Sequence, residues 1–445
     1  MGTMAMMGGG YGAPHPSWVP VQDSLECDCE IDFANDRAWI SGGVMTSSQA
    51  VSVTRSTSGV YIDAAGSYQT AAADTLRLTH DAAALTALGA LVEEARTNSI
   101  RNSTMQGVAA GTPGTAPSTW SVDGAENGLT RTIVGSGTEN GIDYIEVRWA
   151  GTASATSNIL IRCNTLSHVV AAQGQTWTGS AFVKLQAGTL TGLSSVQLKT
   201  SSRSSGGTQL DATTTTITPT GAGLATQRSS ATVTNADATT AFEALDILLN
   251  YTSGGVVDIT LRIGWPQLEQ GLWETSPIKT TSAAASRSAD VVTMSLPGWL
   301  RSQASYTMLI SFTPRSPTTY ATNQNMAGVD DSSNANRLTL RRGATTGPAN
   351  LVNTVASSDT VTLAGAVLAQ NTAAKMCGAW TGSDFALSVN GAAVVTSAVG
   401  SLPSTIDRLT VGANGSGANF ANGTIALVAL WNDRLTNASL QSLAT

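Results

Sequence analysis

The sequence predicts an all-β protein built of tandem antiparallel β-sandwiches, and three observations lead there. Charged residues make up 12% of the 445-residue chain, against about 25% in ordinary globular proteins. Thr, Ser, Ala, Asn and 44 Gly take their place, a mixture poor in helix formers because Ser and Thr divert backbone hydrogen bonds and Gly loses the most entropy. Apolar and polar residues alternate in short runs separated by Gly and Asn, the period-two signature of half-buried strands. At about 150 residues per domain the chain holds roughly three domains, each large enough to bury a core without a metal or disulfide staple.

Residues 1–24 carry Met, Gly and Pro without periodicity and read as an extended N-terminal attachment arm, with Trp18 between Pro16 and Pro20 as its apolar anchor. Residues 25–102 read as a small β domain. Its strands are 27–33, 38–40, 49–55, a pair around the Ala65-Gly66 turn, 76–80 and 90–98. The next domain spans 103–290, with strands at 129–134, 144–149, 158–163, 177–185, 196–200, 227–233, 241–250 and 256–266. That spacing fits a jelly roll. In the last domain, 291–445, residues 304–313 form a clean alternating strand, and 384–395 alternate on both sides of Asn390-Gly391, a strong hairpin signal. Strands at 408–412 and 423–431 follow, then a short helix over 435–443 capped by Thr436 or Asn437.

Three stretches resemble known families. Leu91-Val92-Glu93-Glu94-Ala95-Arg96-Thr97-Asn98, with Asn102-Ser103 behind it, resembles a module of phage tail and fibre proteins. Ser99 departs from it, an aliphatic residue being usual there. The phrases 258–271, 275–280 and 286–292 resemble the closing strands of a carbohydrate-binding-module-like jelly roll of phage proteins. The order Ser388-Val389-Asn390-Gly391, Gly423–Trp431 and Arg434–Leu440 resembles the laminin-G/concanavalin-like fold. Together these resemblances imply a virion protein, most simply a tail-fibre subunit. The expected partners are copies of itself (a trimer), other virion proteins through the arm, and host surface polysaccharide. A capsid-attached head fibre or decoration protein is the alternative, and a polysaccharide depolymerase a second. The protein would be made in the host cytoplasm and reside on the virion exterior.

Composition argues against several other classes. The net charge is −7 with no Lys/Arg cluster, so no phosphate-tracking surface is expected and nucleic acid is not a partner. No apolar run reaches the ~18 residues of a membrane span, and no cation precedes Met1–Gly10 as a signal peptide would require. His15, His80 and His168 stand apart without neighbouring ligands at zinc spacing. No nucleophile elbow, phosphate loop or redox Cys pair occurs, so no cofactor is expected. Glu93 and Glu94 are adjacent on a strand and point to opposite faces, which rules them out as an acid/base pair. Residues 291–445 contain no Glu, which removes the carboxylate pair that a concanavalin-like glycosidase would use. No catalytic residue is therefore expected.

Binding is the remaining activity, since sugars stack on exposed aromatic rings flanked by hydrogen-bonding side chains. The candidate platform residues are Trp120, Trp273, Trp299 and Trp380, whereas Trp149, Trp177 and Trp431 lie in alternating strands and are expected in the core. Asp330 and Asp331 are a weak Ca²⁺ candidate, with a plain turn favoured. Cys163 and Cys377 read as buried small hydrophobes. Cys27 and Cys29 read as attachment residues alongside Trp18, either as reduced surface thiols or as an intersubunit disulfide.

Overall fold

The computed structural model describes residues 16–40, 42–165 and 167–445, and the fold is all-β, 52% strand and 4% helix. The chain divides into two compact units. Of the described residues, one gathers those from Pro16 to Thr54, 88–94 and 290–445, and the other 55–87 and 95–289.

The second unit is a jelly roll of two antiparallel sheets. One runs Ser121–Gly124, Ser157–Arg162, Thr240–Tyr251, Leu193–Ser204 and Gln209–Ile217, with Val169–Val170 added on Thr240–Tyr251. The other runs Leu129–Glu139, Ile142–Thr152, Val256–Gln270, Thr176–Gly188 and Arg228–Thr234. Alternate residues of both sheets meet in one core that includes Ile159, Ile161, Val196, Leu198, Leu245, Ile247, Leu249, Ile259, Leu261 and Trp149. The sheets approach so closely at Gly179 that a Cβ there would strike the Leu245 and Thr200 side chains. The hairpin Gly59–Ile62 and Tyr68–Ala71 joins this unit through a satellite cluster of Val60, Ile142, Phe182, Leu224 and Trp265. Within that cluster Tyr68 stands edge-on to Phe182 at 5.3 Å and to Trp265 at 5.7 Å.

The first unit is also a two-sheet sandwich. One sheet runs Val395–Ser397, Asp384–Val389, Ala374–Thr381, Ser305–Pro314, Gly423–Trp431, Cys29–Asp32, Arg37–Ile40 and Gly43–Met45. The other runs Ser358–Val367, Pro348–Val355, Arg337–Arg342, Gln324–Asp330, Arg408–Val411, Val291–Ser295 and Ser52–Thr54. Gly378 marks where they meet, since a Cβ there would lie 2.7 Å from Leu351 and 2.8 Å from Leu340. The outer side of the first sheet carries a second apolar layer: Val19, Cys27, Trp39, Leu309 and Trp431 under the helix Asn437–Leu443. Thr436 caps that helix by accepting from the Ser439 N–H.

These contacts correct three expectations about the N-terminal part. The segment 25–102 is not a domain of its own. Cys29–Asp32 pairs with Asp32↔Leu427 and Cys29↔Leu430 in the C-terminal sandwich, whereas 55–87 belongs to the jelly roll. The expected strand 49–55 opens as the one-turn helix Ser47–Ala50. There Thr46 accepts from the Gln49 N–H, the Gln49 side chain accepts from the Thr46 N–H, and strand Ser52–Thr54 follows. Of the arm, residues 1–15 lie outside the described residues. Residues 16–24 pack on the sandwich, with Val19 buried in its outer layer and Asp23 accepting from the Ser439 hydroxyl at the helix start.

Candidate functional site

In the jelly-roll sheet that carries Thr240–Tyr251, the residues alternating with the core positions face away from the other sheet. Register sets them in rows. Arg162, Asp246 and Lys199 lie side by side, then Leu160, Leu248 and Gln197, then Asn158, Asn250 and Ser195. Ser201 and Arg203 continue the Lys199 column on the other side. Apart from Leu160 and Leu248 the face is polar, with Asn250 donating to Ser195 at 2.9 Å and to Gln197 at 3.2 Å.

The charged row is the unusual part. Asp246 is fully buried and is met by Arg162 at 3.1 Å, Arg203 at 3.3 Å and Lys199 at 3.5 Å. Arg162 also binds Asp123 at 2.6 Å, and Lys199 donates to Gln209 at 3.1 Å. The three cationic side chains are about a tenth exposed, whereas Asp123 is 44% exposed and marks where the layer opens to solvent. Burial holds the Lys199 ammonium and the Arg203 guanidinium below their ordinary pKa, with Asp246 working against it. Glu243, buried nearby and bonded by Asn235, has its pKa pushed up to about 8 by burial. It is therefore mainly neutral near pH 7 and adds little anion to the row. A face of this kind binds hydroxyl-rich ligands through amides and alcohols and orients charge through its cations.

The residues expected to bind glycans are scattered by the fold, and burial corrects most of them. Trp120 packs in the jelly-roll core, and Trp380 is buried 5.6 Å from the Tyr306 ring in the other unit. Trp273 is buried with the Arg96 guanidinium 4.8 Å from its ring centre. Arg96 also lines a cavity of 420 Å³ with Thr97, Ser99, Trp177, Gln270 and Ser286. Trp299 is the exposed member of the set, at 40%. Trp120 and Trp273 lie outside strands, where a bulky ring folds back onto any core within reach, and Trp380 lies in the strand Ala374–Thr381. The charged row was missed, although the sequence held a signal. In a chain so poor in charge, Arg162, Lys199, Arg203 and Asp246 stand inside strands at the parity opposite the core.

Other candidates change role. Asp330 is buried and saturated: its carboxylate accepts from Arg408 at 2.8 Å, Thr410 at 2.6 Å and the Ser332 N–H at 2.9 Å. Asp331 accepts from Ser333 and Asn336. Both carboxylates are thus committed to holding a turn, and no cluster of metal-ligating side chains occurs among the described residues. Cys27 and Cys29 are buried rather than at the surface, which corrects both readings of them. The Cys27 thiol donates to carbonyls of Cys29 and Leu430, and burial pushes the Cys29 thiol up to about 12. Neither thiol is placed for an intersubunit bond. Trp18 is half-buried with Arg37 4.2 Å over its ring, so it anchors residues 16–24 to their own sandwich.

Residues 291–445 lack Glu, yet the fold brings Glu30, Glu93 and Glu94 into the same unit from the N-terminal part. Glu30 is buried, and burial together with the neighbouring Asp32 carboxylate pushes its pKa up to about 8.

Residues 287–441 match the family described as the Concanavalin A-like lectin/glucanases superfamily. No curated protein matches the chain. Among solved structures, the CBM40 module of Ruminococcus gnavus IT-sialidase bound to α2,3-sialyllactose is similar at 17% identity, covering 32% of this chain and 83% of that one, with a TM-score of 0.28. Domain 4 of AbnA, a GH43 extracellular arabinanase from Geobacillus stearothermophilus in complex with arabinotriose, is similar at 14% identity over 40% and 84%, with a TM-score of 0.28. Mouse laminin α1 chain domains LG4-5 are similar at 12% identity over 66% and 92%, with a TM-score of 0.24. These likenesses concern the fold alone.

Proposed function

We propose that this chain is a glycan-binding structural subunit of a bacteriophage appendage, a tail fibre in its simplest form, acting as a trimer on the virion exterior. One observation carries the glycan-binding part: the outward jelly-roll face. There half-buried Asn158, Ser195, Gln197 and Asn250 offer donors and acceptors on the same face as the Asp246 row, with Leu160 and Leu248 between the two rows. Side-chain amides and hydroxyls both donate and accept, which is what sugar hydroxyls require. The phage assignment rests on the sequence resemblances at 91–98 and 258–292. We also propose that the chain binds without cleaving. Its two carboxyls with strongly raised pKa, Glu30 and Glu243, are each buried in their own unit, where a glycosidic bond has no access.

The full chain is to be screened against an array of bacterial surface polysaccharides and shorter oligosaccharides. Binding to a subset, weakened by Asn250→Ala and Gln197→Ala, is the expected result. An array without a bound glycan, under conditions where circular dichroism shows the folded protein, would remove the reading.

A further inference from the structure

The charged row of this face holds more positive than negative charge, and the imbalance is built into the fold. Three cations from the strands Ser157–Arg162 and Leu193–Ser204 converge on the single buried carboxylate of Asp246. The second carboxylate, Asp123, reaches Arg162 at 2.6 Å and stands at the solvent edge. Arg203 is buried, and its Nε–H has no hydrogen-bond partner. The hydroxyl of Ser201, in the same column, is likewise buried and unpartnered. Buried donors without acceptors cost free energy. Neighbouring cations add to this, since like charges within a few ångströms in a partly dry layer repel strongly.

We propose that this row is the subsite for a carboxylate-bearing sugar, a uronate or sialate unit of an acidic glycan, with Lys199 and Arg203 as its recognition residues. This rests on the glycan-binding reading above and names its ligand class. An added carboxylate at the solvent edge, where Asp123 stands and about a tenth of Lys199 and Arg203 is exposed, relieves the repulsion among the row's cations. The Lys199 pKa is lowered first by burial, and the neighbouring Arg203 and Arg162 guanidiniums lower it further. A guanidinium favours a planar carboxylate through paired N–H···O bonds, whereas an ammonium contributes a compact charge. The adjoining amides then read the hydroxyls of neighbouring units. From Asp246 to Asn250 along the strand is about 13 Å at ~3.3 Å per residue, so the ligand is an oligosaccharide with its acidic unit at the Asp246 end.

The test is calorimetric titration of the full chain with matched pairs: sialyllactose against lactose, and a galacturonate tetramer against its carboxyl-reduced counterpart. A sulfated neutral tetramer is a third arm. The acidic member of at least one pair is expected to bind at least 10-fold more tightly than its neutral partner, with affinity falling as salt rises. Lys199→Gln and Arg203→Gln should each cut that preference about 5-fold or more, and Arg203→Lys should restore part of it. Thermal melts of each variant check folding; Lys199→Gln, which leaves both arginines on Asp246, is the safeguard should Arg203→Gln not fold. Equal binding of acidic and neutral members overturns the proposal, as does preference for the sulfated arm. An acidic preference that persists in folded Lys199→Gln places the site elsewhere and also overturns it. If neutral glycans bind and acidic ones do not, the ligand class falls while the glycan-binding reading stands; if no glycan binds, both fall.

Discussion

A strand of each unit carries a buried aspartate, Asp330 in one and Asp246 in the other, and the two are solved differently. Asp330, in the concanavalin-like unit, spends its oxygens on one guanidinium, one hydroxyl and one backbone N–H, all supplied by neighbouring turns and strands. Asp246, in the jelly roll, meets three cationic side chains. The first arrangement is closed, with donors matched to lone pairs and a net balance near zero. The second sets three cations against one buried anion. A buried acid is therefore not a sign of function by itself; what separates the two cases is whether its partners are used up.

The largest expected effect breaks or sustains that contrast directly. Asp246→Asn removes the charge that three buried cations share, and its amide N–H₂ faces donors. The jelly roll should lose about 3 kcal/mol or more, within the range for breaking a buried ion pair. Asp330→Asn keeps an oxygen for Arg408 and the Ser332 N–H, and the Thr410 hydroxyl can turn to accept from the new amide. The cost there should be about 1 kcal/mol. Denaturant melts of the two variants decide it, and equal losses would erase the distinction.

The same contrast explains how much could be read in advance. Strands with apolar alternation were legible: the jelly-roll strands at 129–134, 144–149 and 256–266 all occur, extended at their ends. Gln209–Ile217 was not seen, because an edge strand written Gln-Leu-Asp-Ala-Thr-Thr-Thr-Thr-Ile has no apolar face to alternate. Gln324–Asp330 and Pro348–Val355 escaped for a related reason, since strands polar on one side and buried on both hide the period. The split of 25–102 between two units was beyond local pattern. It depends on pairings such as Cys29↔Leu430, some four hundred residues apart in sequence. Sites fared worse than fold, because a ring or charge acquires its role from neighbours that only tertiary structure supplies.

A second pair of residues sharpens the comparison through pH. Glu30 in one unit and Glu243 in the other are both raised to about 8 by burial, from an ordinary 4.5. The folded state thus holds a proton that the unfolded chain releases. The stabilisation is fully present below about pH 4.5 and is lost as pH rises through 8, with a slope approaching 1.4 kcal/mol per pH unit between. Glu30→Gln should abolish that loss in the concanavalin-like unit and Glu243→Gln in the jelly roll. Melting curves from pH 5 to 8.5 should show the gap between variant and parent widening with pH. A gap that stays constant or narrows would mean that the carboxyls are ionised in the folded protein.

The smallest expected effect asks whether the concanavalin-like unit binds glycans at all. Trp299, on the short 3₁₀ turn Gly298–Leu300, is the exposed ring among the four first considered as platforms. An exposed Trp is the usual stacking surface for a sugar, but stacking needs hydrogen-bonding partners ringed around it to fix the hydroxyls. The neighbouring amide of Gln303 donates to the carbonyls of Trp299 and Arg301. That commits it to holding the turn. Trp299→Ala should accordingly leave array binding as it was and destabilise less than Trp380→Ala, which deep in the same unit should cost about 3–5 kcal/mol. A loss of glycan binding in Trp299→Ala at unchanged stability would give the concanavalin-like unit a site of its own. The proposed separation between a glycan-binding jelly roll and a closed second unit would then fail.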